Sequence, residues 1–223
     1  MEADFNFEKP ARIKNVRILK SKKPWPTKSD LGLAKLLATD WIKTPEIKGP
    51  WKTKSGGELR VLFSVPFQVL FSGKKDPLSG IKRFFEIGDQ IASGYFSYNK
   101  KELEKIPTDI RGFRSYTVSG LEKGSVGAME FHKIRKELLF AIKGSAEIEV
   151  EDLEGGERKF IVNDETGLYI PSYLLHTYRV LENNTKILVV ANTLYIPEKQ
   201  ETHDSFSIEV FRGMQKKAKV YKP

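Results

Sequence analysis

A mainly β chain, a sandwich or barrel behind an N-terminal extension that holds one short helix, is the fold class this sequence predicts. Three observations lead to it. From Ile81 onward, short runs of alternating apolar and polar residues are separated by turn residues at intervals of about eight to twelve. The clearest run is Ala146, Ile148 and Val150 alternating with Glu147, Glu149 and Glu151, which gives one buried and one wet face. The helical pattern in the first third of the chain is the one expected, and nothing after it compels another.

Taken in order, residues 1–28 are polar, basic and broken by Pro10, Pro24 and Pro26, so they read as extended or irregular. Ser29 or Asp30 caps a helix over residues 31–42, where Leu31, Leu33, Leu36, Leu37 and Trp41 form a rough apolar face. Residues 44–57, rich in Pro, Gly and Lys, form a loop. Residues 59–65 and 67–71 are short apolar strands around Pro66. Glu154-Gly155-Gly156-Glu157 is a hairpin turn leading into a strand over residues 158–162. Strands at 167–171, 176–181 and 186–191 follow, with Glu182-Asn183-Asn184-Thr185 turning between the last two. A final strand is expected at 205–211. The expected domains are an extension over residues 1–80, one β domain over 81–213 and a basic tail over 214–223.

Composition narrows the function. With 223 residues, 39% of them hydrophobic and 11% aromatic, the chain supports a packed core. It has no cysteine, which excludes a disulfide framework, a thiolate nucleophile and Cys-ligated zinc. No 18-residue apolar stretch exists, and Met1-Glu2-Ala3-Asp4-Phe5 lacks a basic-then-apolar signal, so a cytoplasmic protein without membrane partners is expected. The net charge of +9, with much of the basic excess near the two ends, favours an anionic partner. No nucleic-acid motif is present and the aromatics do not interleave with the basic runs, so a phosphate or nucleotide is expected rather than nucleic acid. No P-loop, dinucleotide fingerprint or Ser-His-Asp order is found. Edge strands make a homodimer the expected assembly.

The motifs that carry chemistry lie in the second half. Gly124 is followed by Glu130, His132, Glu137 and Gly144, and downstream Gly167-Leu168-Tyr169-Ile170-Pro171 leads to His176. Two of the chain's three histidines fall on these two stretches. The spacing resembles the two sequence motifs of the cupin superfamily, with Glu130 in place of the first histidine. The resemblance implies a jelly-roll β-barrel in which these positions point inward, as metal ligands or as acid–base groups.

Within the cupins, residues 81–211 resemble the WxcM-like dTDP-sugar 3,4-ketoisomerases. The resemblance rests on Ile81-Lys82-Arg83-Phe84-Phe85, Ser93-Gly94-Tyr95-Phe96, Ile106-Pro107-Thr108-Asp109-Ile110-Arg111 and Glu130-Phe131-His132-Lys133. It continues in Gly144-Ser145, Glu151-Asp152, Gly167-Leu168-Tyr169-Ile170-Pro171, and Leu188-Val189-Val190-Ala191 with Tyr195. The chain departs from the family pattern at Ser93 and Gly127, each in place of an arginine. It departs again at Glu130 and at Leu175-His176 in place of Trp-Arg, and Tyr116 represents the family's paired tyrosines only in part.

The resemblance implies dimers that exchange an N-terminal strand, and a reaction that moves a keto group from C4 to C3 of a dTDP-linked 6-deoxyhexose without a metal. Such a shift proceeds through an enediol, so one group takes a proton, another returns it, and donors stabilise the oxyanion. On this reading His132 is the base and Glu130 or His176 the second proton carrier. Arg114 and nearby lysines such as Lys133 meet the diphosphate, and Tyr116 and Tyr178 contact the sugar.

Two other readings stand beside it. Glu130, His132, Glu137 and His176 make a set of two imidazoles and two carboxylates that suits divalent Mn, Fe, Ni or Zn, in a metal-dependent enzyme acting on a small sugar or acid. Glu130 and His132, two apart on a strand, face the same side, while Lys133 and Arg135 alternate onto the opposite face. The departures at the arginine and tyrosine positions fit a third reading, a cupin that binds a sugar or nucleotide without turning it over. Tyr169 and Phe131 either stack on ligand or pack in the core, and Glu137 reads equally as a hairpin-end charge. His203, in a polar stretch, is expected to do no chemistry.

Overall fold

The computed structural model describes residues 10–20, 50–66, 106–196, 198–200 and 203–220. The strands running through them are β1 (Arg17–Lys20), β2 (Trp51–Lys52), β3 (Glu58–Pro66), β4 (Arg111–Leu121), β5 (Val126–Phe131), β6 (Glu137–Lys143), β7 (Ala146–Glu151), β8 (Glu157–Val162), β9 (Thr166–Ile170), β10 (Leu175–Val180), β11 (Thr185–Thr193) and β12 (Phe206–Ser207). The helix α1 (Ile208–Val220) follows them. Strands as short as these, with polar turns between them, bury one face each and must pack sheet on sheet.

They form two antiparallel sheets. One has the order β1-β9-β6-β11-β4-β3-β2 and the other β12-β5-β10-β7-β8. Non-sequential neighbours in both sheets give the jelly-roll arrangement, mainly β, that the alternation and the cupin resemblance predict. Between the sheets lie Leu139, Ala141, Ile148, Val150, Leu168, Ile170, Val180, Ile187 and Val189, all buried in one cluster. Burying each leucine, isoleucine or valine of this set contributes about 1.5–3 kcal/mol, so the cluster holds the sheets face to face.

The predicted hairpin of β7 and β8 is present in full register from Ala146 opposite Val162 to Glu151 opposite Glu157. The expected strand over 59–65 is β3, which joins the same sheet as the family-like strands by pairing with β4. The expected helix over 31–42, the strand at 67–71 and the segments around Ile81 and Ser93 lie outside the described residues.

Three expectations are corrected. The strand expected at 205–211 lasts two residues and then becomes α1. Ile208, Phe211 and Met214 recur at helical spacing and pack with Phe131, Leu153 and Leu175 against the outer face of the five-stranded sheet. Residues 214–220, expected in a basic tail, continue that helix. Glu151, expected on a wet face, is buried because α1 covers it: Arg212 and the Gln215 amide both donate to its carboxylate.

Candidate active site

Two strands of the smaller sheet place the first members of the site. β10 pairs with β5 so that His176 stands opposite Glu130 and Tyr178 opposite Gly127. The ladder slips between His176 and Thr177, and Ala128 and Met129 take up the extra length in left-handed backbone conformations. That bulge turns Met129 out to solvent while Glu130 and Gly127 face the same interior. Gly127 is required there: a Cβ on it would sit 2.2 Å from the Tyr178 hydroxyl oxygen. Tyr178 shares a 2.7 Å hydrogen bond with Ser55, from the turn between β2 and β3.

β5 ends at Phe131, and the next five residues turn before β6 begins. This corrects the expected outward face for Arg135. Its backbone N–H, with those of Lys133 and Ile134, donates to the Asp204 carboxylate at 2.6, 3.0 and 2.8 Å. The turn so pinned sends the Arg135 side chain inward, where it is 4% exposed. Lys133 lies over the Phe206 ring, 4.1 Å from its centroid.

Glu137, at the head of β6, joins the parts. It is 1% exposed. Its Oε2 lies 3.3 Å from His176 Nε2, and its Oε1 lies 3.5 Å from His132 Nε2. Tyr116 donates to Oε1 at 3.2 Å. Arg135 Nε is 3.0 Å from the same oxygen but off the line of a hydrogen bond, so charge alone joins that pair. Arg135 Nη2 reaches Glu130 Oε1 at 3.2 Å and His132 Nε2 at 2.6 Å. Glu130 also accepts from Ser205.

These partners fix different protonation states on two histidines whose ring centroids are 5.1 Å apart. His132 Nδ1 faces the Asp204 carbonyl at 2.6 Å, so it carries the proton and donates. Its Nε2 faces a guanidinium that can only donate, so the ring is neutral with its lone pair there. Burial, then the charge of Arg135, lowers its pKa accordingly. His176 has acceptors on both sides, Leu174 O at 3.2 Å and Glu137 Oε2 at 3.3 Å. Burial opposes its charge, but the hydrogen bond and charge of Glu137 outweigh it and raise its pKa.

For the carboxylates, burial pushes both pKa values up and Arg135 overrides it, leaving Glu137 well below and Glu130 below the ordinary range. Burial, then Glu137, raises the Tyr116 phenol, which stays a donor.

Arg114, 1% exposed on β4, donates to His203 O at 3.1 Å. Burial, then Arg135, brings its pKa down to about 9. Its Nε is buried without a hydrogen-bond partner. A buried donor in that state costs free energy until a ligand meets it. The site opens on a cavity of about 540 Å³ whose wall includes Arg114, Tyr116, Glu130, Arg135, Glu137, His176 and Tyr178, with Thr53, Lys54 and Ser55 at one side. His132 lies behind Arg135, and neither it nor Lys133 is part of that wall.

Sequence reasoning missed Arg135, Asp204 and the backbone of His203. The His203 carbonyl faces both Arg114 and Arg135. Its ring stacks on Tyr195 with centroids 4.8 Å apart. No motif marks a backbone acceptor. The nearest available signal was a short acidic-polar stretch just before an apolar helical repeat.

The four positions of the metal reading do converge, with ligand atoms of Glu130, His132 and His176 within 4.8 Å of one another. As placed, however, they do not fit a divalent ion. The Nε2 lone pair of His132 and the Oε1 of Glu130 are both taken by the Arg135 guanidinium. A metal would have to share their lone pairs with a fixed positive charge.

Among known proteins, the family model described as "FdtA: WxcM-like, C-terminal" matches residues 79–208, more than half of the chain. Similar solved structures include a 3,4-ketoisomerase from Helicobacter canadensis, 20% identical, with 46% of this chain and 74% of that one covered at a TM-score of 0.40. A sugar 3,4-ketoisomerase from Thermoanaerobacterium thermosaccharolyticum in complex with TDP is 23% identical, with 51% and 78% covered at a TM-score of 0.41. A W96F oxalate decarboxylase from B. subtilis is 26% identical, with 48% and 26% covered at 0.37. No protein with a curated description matches the chain. No helix among the described residues is long and apolar enough to cross a membrane.

Proposed function

Because the chain belongs to the WxcM-like, C-terminal family, we propose that it moves a keto group between neighbouring carbons of a dTDP-linked 6-deoxyhexose. The observation that carries this reading is the pair of buried histidines 5.1 Å apart, His132 with its Nε2 facing a donor and His176 with acceptors at both ring nitrogens. Paired groups whose environments push their pKa values apart supply a base and an acid in one site.

In this reading neutral His132 takes the proton from the carbon beside the carbonyl, and charged His176 protonates the oxygen on which negative charge develops. The resulting enediol collapses the other way: the neighbouring hydroxyl loses its proton and the former carbonyl carbon gains one. The two histidines exchange roles in that second half, and Glu130 at the cavity wall relays protons between them. Arg135, which rests on the His132 lone pair, leaves it for the developing oxyanion, so freeing the base and stabilising the charge are one movement. Arg114, with an uncommitted buried Nε, and Lys54 meet the diphosphate.

The test is turnover of a panel of dTDP-linked 4-keto-6-deoxyhexoses by the wild type and His132→Asn, with circular dichroism to confirm folding. Removal of a general base lowers turnover by about 10²–10⁴-fold. Full activity in the folded variant would sink this reading. The guanidinium over His132 Nε2 favours a second reading, a protein that binds such a ligand without converting it. Binding of the panel by calorimetry without any product selects that one.

A further inference from the structure

We propose that Arg135 is a built-in cation that holds the place a divalent ion would take among Glu130, His132, Glu137 and His176, and thereby keeps metals out. This holds whichever reaction the site performs. Three of those residues have ligand atoms close enough to share one ion. The guanidinium lies among them, 2.6 Å from His132 Nε2, 3.2 Å from Glu130 Oε1 and 3.0 Å from Glu137 Oε1. It thus faces three of the four donors a metal would need, at the cavity wall and itself only 4% exposed.

The charges agree with that role. The carboxylates of Glu130 and Glu137 need a countercharge, and the Arg135 guanidinium supplies one, 3.2 Å from the first and 3.0 Å from the second. A divalent ion added to this set would face a fixed like charge at contact distance. Metals ordinarily win a histidine or thiol site by driving off its proton. A guanidinium has no proton to give up in the accessible range, so raising the pH does not open the site.

The experiment compares metal-stripped wild type with Arg135→Ala. Each is dialysed against Mn²⁺, Co²⁺ or Zn²⁺, analysed for bound metal by elemental mass spectrometry, and melted with and without the ion. The expected result is no stoichiometric metal and no shift in Tm for the wild type. Arg135→Ala is expected to bind stoichiometrically, to rise in Tm with the ion, and to lose both effects when His176→Ala is added. Arg135→Gln, which keeps a donor but not the charge, serves if the alanine variant is insoluble. A variant that folds only with metal present supports the proposal. A folded variant that binds no ion overturns it. So does stoichiometric metal in the wild type, and that second measurement stands even if neither variant folds.

Discussion

His176 takes its position from its own surroundings in β10: its Nδ1 donates to Leu174, two residues before it, and its strand is paired on both sides, with β5 and β7. His132 stands just past the end of β5, and its Nδ1 is held by the carbonyl of Asp204, seventy-two residues later. The tripeptide His203-Asp204-Ser205 holds Arg114, Arg135 and Glu130 in the same way. The His203 carbonyl takes Arg114 and Arg135, Asp204 takes His132 and the turn after it, and Ser205 takes Glu130. The sheet therefore fixes one histidine, and a visiting segment fixes the other together with its arginine. A jelly roll can supply a cavity without this segment, but it cannot aim Arg135 into it.

The largest expected effect breaks the visiting half of the comparison. Asp204→Ala removes the acceptor for three backbone N–H groups and places alanine at a left-handed φ of 52°. Unsatisfied buried donors and the strained backbone together cost about 2–4 kcal/mol. Asp204→Asn keeps one acceptor oxygen and tolerates the left-handed backbone, so it is expected to lose roughly half as much. Urea denaturation measures both losses. Histidine ring resonances read by NMR should shift for His132 and stay nearly in place for His176. If both shift equally, the two histidines are not held separately and the comparison fails.

That division also explains what the sequence disclosed. Alternation over Ala146, Ile148 and Val150 and the turn residues at Gly155 and Gly156 are local signals, and the hairpin of β7 and β8 follows from them. Glu130, His132, Glu137 and His176 were legible as a set through the resemblance to the two cupin motifs, since alternation alone links only Glu130 and His132, and ligand atoms of Glu130, His132 and His176 do converge. Arg135 was not, since continuing the alternation past Phe131 aims it outward, and the residue that ends the strand lies about seventy positions away. Arg114 reads from sequence as a surface residue or a diphosphate contact alike, and nothing local reports its burial. The helical spacing of Ile208, Phe211 and Met214 was present, but two-residue alternation in the same stretch competes with it over so short a run. Backbone carbonyls such as that of His203 carry no residue signature at all.

A smaller effect sharpens the comparison through pH. The folded-state pKa of His132 lies below its ordinary 6.5, so near that pH the unfolded chain binds more protons than the folded one. Its contribution to stability is present above 6.5 and lost as pH falls through the folded value. For His176 the folded pKa lies above 6.5, so the contribution is present below 6.5 and lost as pH rises through the folded value. Each slope is at most about 1.4 kcal/mol per pH unit. In the wild type the two oppose each other. Removing His176 by His176→Gln is expected to leave stability rising with pH across neutrality, and His132→Gln to leave it falling. Denaturant midpoints between about pH 5 and 8 check both signs, and slopes of the same sign in the two variants would mean the protonation states are misassigned.

The smallest effect concerns the second visitor, the turn between β2 and β3. Ser55 meets the Tyr178 hydroxyl at 2.7 Å from that turn, on the β10 face that also carries His176. Ser55 is partly exposed and Tyr178 keeps water within reach at the cavity, so Ser55→Ala is expected to cost only about 0.5–1.5 kcal/mol. Its consequence should be found in ligand affinity: the phenol, no longer oriented, weakens KM while leaving kcat nearly unchanged, because neither residue carries a proton in the reaction. Gly127→Ala gives the matching control from the opposite side, since its Cβ would displace the same ring. If Ser55→Ala instead lowers kcat as much as Asp204→Ala does, the front turn is as much a part of the catalytic assembly as the C-terminal tripeptide. The sheet would then be responsible for even less of the site than His176 alone suggests.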